Sequence, residues 1–248
     1  MKKWLTHQTK HLGRRLGFDI IRYQPRSHPV AQQMDLVRRL GVDLVIDVGA
    51  NDGIFGRKLR ELGYRGRIIS FEPIAEVFER LKASVANDDL WDVVGVACGE
   101  TSGEVDIHVS ANSVSSSLMK VTEKSVTSAP ASAAVRDERV KVRRLDDELK
   151  ELRRGESRLW LKIDTQGFEM PVLLGAPETL QDSVMMQLEM SFVDLYEGQV
   201  LFDELYRWVL DRGFRMSLFD GVHWHAETGE LLFADGVFHR PERLLDAN

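Results

Sequence analysis

Cysteine is nearly missing from this chain of 248 residues, where Cys98 stands alone. One thiol excludes an intrachain disulfide and makes a cysteine-built metal centre untenable. Long apolar runs are missing too: none approaches the roughly 18 residues that a spanning helix needs. The opening MKKWLTHQTKHLGRRLGFD is basic but lacks the apolar stretch of a secretion signal, so a cytoplasmic protein is expected. Positive charge is in deficit, with 33 Lys and Arg against 39 Asp and Glu and a formal charge of −6. Nucleic-acid binders are usually basic, so no nucleic-acid partner is expected. What remains is an ordinary globular composition, 43% apolar and 29% charged, long enough to bury one substantial core.

The charge is unevenly placed. Residues 1–26 carry seven cations against Asp19, a net +6, which leaves −12 for the remainder. We expect residues 1–40 to form a basic helical extension ahead of a single domain at 41–248. A lead helix of this kind either packs on the domain as a solvated element or lies on an anionic membrane surface. Oligomeric state is not legible.

Past the lead segment, HPVAQQMDLVRRLG has helical spacing and stops at Gly41. Strand and helix then alternate. VDLVIDVG reads as a strand covered on both faces, FGRKLRELGY as a helix, RGRIISFEP as a strand, AEVFERLKASVAN as a helix and LWDVVGVACG as a third strand. Residues 100–143 read as an insertion, with GEVDIHVS a half-exposed strand, 112–134 an irregular mobile loop, and ERVKVRRLDDELKEL a strand running into a helix. SRLWLKID, FEMPVLLGA, SVMMQLEMS and LFDELYRWVLDRG then resume the strand–helix pattern. FRMSLFDG and ELLFADGVFHR close the chain as an antiparallel pair at one sheet edge. The expected class is therefore α/β, a mostly parallel open sheet with right-handed crossovers and an antiparallel edge.

The turn DVGANDG follows the first strand, where open α/β sheets bind their ligands. A dinucleotide turn would read G-x-G-x-x-G and present a helix N-terminus to pyrophosphate. Here that triplet is missing, and Asp47 and Asp52 stand where a diphosphate would want no carboxylate. S-adenosylmethionine suits such electrostatics better, having no phosphate and a cationic methionine end. Asp47 can attract that end, Asn51 offers donor and acceptor, and Gly49 lets a ligand approach the backbone. Glu72, at the tip of the second strand, can accept from both ribose hydroxyls, a device that NAD enzymes share. The plainer alternative is local loop chemistry of Asp and Asn.

The pieces IDVGANDGIF, FEP, ANSVSSSL, VKVRRLDDEL and LKIDTQGFEMPVLLGA, in that order over about residues 42–190, resemble the FkbM family of S-adenosylmethionine-dependent methyltransferases. The resemblance implies a Rossmann-like methyltransferase fold and O-methyl transfer, often to sugar hydroxyls of glycans, glycolipids or glycosylated natural products. It makes Asp47, Gly49, Ala50, Asn51, Gly53, Glu72, Pro73 and Ala97 cofactor-contact candidates, and Lys162, Asp164 and Glu169 candidates near the methyl group. Gln166 departs from the Glu common at that place, and we expect it to orient the turn.

Lys162 and Asp164 are two apart on one strand and so share a face. In a strand of Leu, Trp and Ile, two charges are costly unless paired or used. Methyl transfer to an alcohol needs an in-line acceptor oxygen and a group to take its proton. Asp164 is the first candidate for that role, Lys162 its neighbour, and Glu189 the second candidate. A magnesium ion held by Asp164, Glu169 and Glu189 is possible but not favoured, since no dedicated metal spacing appears. His223 and His225 flank Trp224 and suit either a sugar pocket's rim or a surface hairpin. Cys98 is expected to pack, not to react. Two other readings stay open: a nicotinamide-dependent oxidoreductase, and a methyltransferase fold retained as a non-catalytic scaffold.

Overall fold

The computed structural model describes residues 10–245. Helix α1 (Pro29–Arg39) begins with proline at its first turn and ends on Arg38 and Arg39, and Gly41 turns the chain away with φ +59°. Strand β1 (Leu44–Val48) follows, then α2 (Ile54–Glu61), β2 (Arg67–Phe71), α3 (Ala75–Ser84) and β3 (Trp91–Val94). After the segment containing β4 (Ala97–Cys98), β5 (Gly103–Ser110), α4 (Glu123–Ser128) and β6 (Ala134–Arg143) come α5 (Leu145–Leu152), β7 (Leu159–Ile163), α6 (Glu169–Leu174), α7 (Pro177–Asp182), β8 (Ser183–Ser191), α8 (Phe202–Asp211), β9 (Arg215–Trp224) and β10 (Leu231–His239).

The main sheet has seven strands in the order β3-β2-β1-β7-β8-β10-β9, parallel from β3 to β8 and antiparallel at β10 and β9. Strand order reverses between β1 and β7, the switch point where open α/β sheets bind ligands. One face packs Leu44, Ile46, Leu161 and Leu188 against α5 to α8, and the other packs Val45, Trp160, Met185 and Val237 against α1 to α3. Because both faces are covered, β1, β2, β7 and β8 are buried along their whole length. Alternation then forces a polar seam. Asp47, Lys162, Gln187 and Asp235 follow Val45, Trp160 and Met185 and precede Val237 on the same face, at the carboxyl end of the parallel strands. No helix among the described residues is long and apolar enough to cross a membrane.

Two expectations need correction. LWDVVGVACG is not one strand: it stops at Val94, and Ala97–Cys98 leaves for a second, three-stranded sheet in the order β4-β6-β5. That sheet packs Ile107, Val109, Val140 and Val142 against Ile74 and Val77 at the start of α3. The segment 112–134 is not wholly irregular either. It contains α4, whose first turn is capped by the Thr122 hydroxyl accepting from Ser125 N–H at 3.3 Å. Of the basic lead helix, residues 1–9 lie outside the described residues, and a short helix covers 10–15.

Candidate active site

A cavity of about 450 Å³ opens at the switch point, within the range that holds a small-molecule ligand. Its first wall is the turn after β1. Gly49 has φ +81°, and a Cβ there would stand 1.9 Å from the main-chain carbonyl oxygen of Asp164. The missing side chain is thus required by the neighbouring strand end, not by a ligand. Asn51 is left-handed as well, at φ +46°. Its main-chain N–H donates to Glu72 Oε2 at 2.9 Å, and Ile74 N–H donates to Glu72 Oε1 at 2.9 Å. Glu72 is 4% exposed, and burial pushes its carboxyl up to about 7 against the pull of those two N–H donors. Gly49, Ala50, Asn51, Glu72, Pro73 and Ala97 all line the cavity, while Asp47 and Gly53 do not. Gly53 is left-handed at the start of α2, with Leu81 Cδ1 2.4 Å from where its Cβ would be.

Asp47 is fully buried and opposite Lys162 in register. Lys162 Nζ donates to Asp47 Oδ1 at 3.1 Å and to Asp164 Oδ2 at 3.4 Å. Although its burial alone would disfavour the charge, Asp47, Asp164 and Asp235 hold the ammonium above the ordinary lysine range. Desolvation in turn raises Asp47, against Lys162. The sequence pairs Lys162 with Asp164 through spacing; its shorter bond is to the adjacent strand, so Asp47 serves the lysine first.

The turn after β7 supplies the second wall. Glu169 Oε1 accepts from Thr165 N–H at 2.9 Å, Thr165 hydroxyl at 3.2 Å and Gly167 N–H at 3.2 Å, holding the turn closed. It lies outside the cavity, and burial lifts it to about 7. Gln166, left-handed at φ +56°, sends Nε2 to Asp164 Oδ1 at 2.9 Å and to Glu189 Oε2 at 2.7 Å, and its Oε1 accepts from the Tyr196 hydroxyl at 2.7 Å. It therefore orients two carboxylates as well as the turn. Glu189 is 5% exposed, and burial, with Asp164, Glu169 and Asp235 near it, raises its carboxyl well above the usual range. Among the described residues no group of three or more His, Cys, Asp or Glu is arranged to hold a metal ion.

Sequence reasoning names Glu189 and His223 at the far end of the cavity but misses Asp235 between them. Asp235, opposite Glu189 in register, accepts from Gln187 Nε2 at 2.8 Å and is raised to about 7, chiefly by burial. Gln187 in turn accepts from Gln33 of α1 at 2.8 Å. An aspartate in the apolar run LLFADGVF carries the same signal that marked Lys162 and Asp164. His223 lines this end, stacked on Phe233 at 4.3 Å between centroids, whereas Trp224 is exposed. Cys98 is buried on β4 and its thiol pushed up by burial, which fits packing.

Residues 113–118 also line the cavity. Asn51 Nδ2 donates to Ser113 Oγ at 3.4 Å, Ser117 Oγ to the Gln166 carbonyl at 2.6 Å, and the Tyr196 hydroxyl to the Ser115 carbonyl at 3.3 Å. One loop thereby touches both turns.

The charged residues of the wall suit a cationic, phosphate-free ligand. Asp164 and Asp220, with Glu72 and Asp235 when ionised, face only Lys58 and Lys162, while Glu189 holds its proton more tightly. Lys162 is engaged as above, and Lys58 lies 3.8 Å from Asp220. The profile of the methyltransferase FkbM domain matches residues 47–216. The chain is similar to the 2-O-methyltransferase NoeI of Sinorhizobium fredii (strain NBRC 101917 / NGR234), 28% identical over 168 residues that cover 63% of this chain and 67% of that one. Among solved structures it is similar to a putative RNA methyltransferase of Pyrococcus horikoshii (TM-score 0.42, 13% identity, 85% and 83% of the two chains). An rRNA methylase of Streptococcus thermophilus aligns with TM-score 0.45 and 7% identity over 86% and 96%. A Rossmann-like sheet with a ligand cavity at its switch point and a family match over most of the chain lead to one conclusion: the chain belongs to the FkbM methyltransferases and is an S-adenosylmethionine-dependent enzyme.

Proposed function

We propose that the enzyme methylates a hydroxyl of a sugar-containing acceptor. The observation that carries this reading is the far end of the cavity, where Asp164, Glu189 and Asp235 stand near the stacked pair His223–Phe233. Carboxyl groups accept from sugar hydroxyls, and a ring face receives the C–H face of a sugar. The similarity to a 2-O-methyltransferase supports oxygen as the acceptor atom.

Glu72 is the carboxylate for the ribose hydroxyls, each of its oxygens keeping a lone pair beyond the bond to main-chain N–H. Ile74, Val96, Ala97, Ile107 and Leu118 form the apolar bed for the adenine. S-adenosylmethionine, when bound, supplies a methyl carbon activated by its sulfonium. Asp164 would orient the acceptor hydroxyl in line with that methyl group and take its proton during transfer. Lys162 and Gln166 hold the Asp164 carboxylate in position. Glu189, which holds its proton more tightly than an ordinary carboxyl, can donate to a second acceptor oxygen.

The test is transfer of labelled methyl from S-adenosylmethionine to a panel of mono- and oligosaccharides, with and without a chelator, with NMR to locate the new O-methyl group. We expect O-methyl product, and in D164N a fall of about 10²–10⁴ in kcat with S-adenosylhomocysteine affinity unchanged by calorimetry. Product on nitrogen or carbon, or full turnover in D164N, overturns the assignment.

A further inference from the structure

The described residues hold sixteen large apolar side chains that are exposed, and six of them fall within residues 12–23: Leu12, Leu16, Phe18, Ile20, Ile21 and Tyr23. Scattered apolar residues on a surface need no explanation, but a cluster does. Ile20 Cδ1 lies 3.1 Å from the Cβ position of Gly13, which seats the extended stretch on the short helix at 10–15. Among the described residues, the hydrogen bonds made by residues 10–27 close within 10–28, and Tyr23 rests on His28 at the start of α1 with ring centroids 4.9 Å apart.

Cations are threaded through the same stretch. Arg14 and Arg15 lie between Leu12 and Leu16, and Arg22 lies between Ile21 and Tyr23. Lys10, Arg14, Arg15, Arg22 and Arg26 against Asp19 give residues 10–26 a net +4 in a chain of net −6. A protein interface would concentrate apolar groups at its centre and exclude charge from it. Interleaved arginines and exposed Leu, Phe, Ile and Tyr are instead the composition of a segment that lies in the headgroup layer, apolar side chains among the upper acyl carbons and guanidinium groups on lipid phosphates.

We propose that residues 10–26 dock this enzyme onto an anionic lipid bilayer surface. Attachment is peripheral and reversible. It needs both halves of the pattern: apolar insertion, which salt leaves in place, and phosphate attraction, which salt screens. It concentrates the enzyme at a surface while leaving the cavity, built from other elements, unaltered.

The experiment is flotation of the full chain with vesicles of phosphatidylcholine alone and of phosphatidylcholine with phosphatidylglycerol, each at low and high salt. The wild type is expected to float with the phosphatidylglycerol vesicles at low salt, at least about ten-fold more than with neutral vesicles, and to be released by high salt. L16E/F18E and R15E/R22E should each lose that binding about ten-fold. The four positions are exposed, so folding is not at stake, and S-adenosylhomocysteine titration of each variant checks this independently of any acceptor. Three results overturn the proposal: equal binding to both vesicle types, binding that either double variant retains, or no flotation with the phosphatidylglycerol vesicles at low salt.

Discussion

The turns after β1 and β7 are built from the same parts in different wiring. Each follows a central parallel strand, each puts one non-glycine residue in the left-handed region, and each is braced by a buried glutamate accepting main-chain N–H. After β1 that residue is Asn51, and the brace, Glu72, arrives from the neighbouring strand and keeps a face toward the cavity. After β7 it is Gln166, and the brace, Glu169, belongs to the turn itself and faces away. The first turn presents a braced carboxylate to the ligand; the second presents a braced side chain that aims two other carboxylates. Strain at Asn51 is the by-product of a tight bend, whereas strain at Gln166 places a working group.

Four substitutions test that contrast, in decreasing order of expected effect. G49A forces a Cβ onto the Asp164 carbonyl at positive φ, joining the two turns by a clash. Loss of about 3 kcal/mol or more in urea unfolding is expected, and a loss below about 1 kcal/mol would show that the strand ends can part.

E72Q removes the charged acceptor of the first turn. S-adenosylhomocysteine should bind about ten- to a hundred-fold more weakly by calorimetry. The pH dependence has a definite sign. With its carboxyl raised from 4.5 to about 7, folded Glu72 keeps a proton that the unfolded chain releases between those values. Its contribution to stability is complete below about pH 4.5 and is lost as pH rises through about 7. Unfolding curves across that window should be flatter for E72Q, and an unchanged slope would remove Glu72 as the titrating group.

Q166E puts in the residue common to the family, and with it a third carboxylate between Asp164 and Glu189 and no N–H for either. The expected result is a kcat lower by about ten-fold, with donor affinity within about two-fold of wild type; equal losses in both would make the two turns one unit. N51G is the mildest change. Relief of a left-handed residue offsets the loss of its bonds to Asp52 and Ser113, so stability should stay within about 1 kcal/mol by thermal unfolding. A larger loss would mean that Asn51, like Gln166, is held for its side chain.

The same contrast decides what can be read along the chain. The ends of β8 and the existence of α6 are legible because burial on both faces imposes an apolar run and a capping glycine is enough to stop a helix. The first turn is legible because its parts, Gly49 to Glu72, keep a fixed order at the ends of adjacent strands. The second is only half legible. Besides Asp164, two residues away, the partners of Gln166 are Glu189, Tyr196 and Ser117, which lie 23, 30 and 49 residues away, and local spacing carries no trace of those three. The break in LWDVVGVACG falls at the exposed Gly95, and it is hidden because valines flank that glycine on both sides and read as one strand, although the two pieces join different sheets. Asp235 was within reach, because a carboxylate inside an apolar strand already announces a buried site.

Asp47 and Lys162 face one another across β1 and β7 with no solvent to dilute either charge. Removing Lys162 strands the buried Asp47, a change that costs several kcal/mol, whereas removing Asp47 leaves the lysine its bond to Asp164. For inheritance the dependence therefore runs one way: among chains that keep this sheet, the lysine should outlast the aspartate, and an aspartate left without its lysine should be rare.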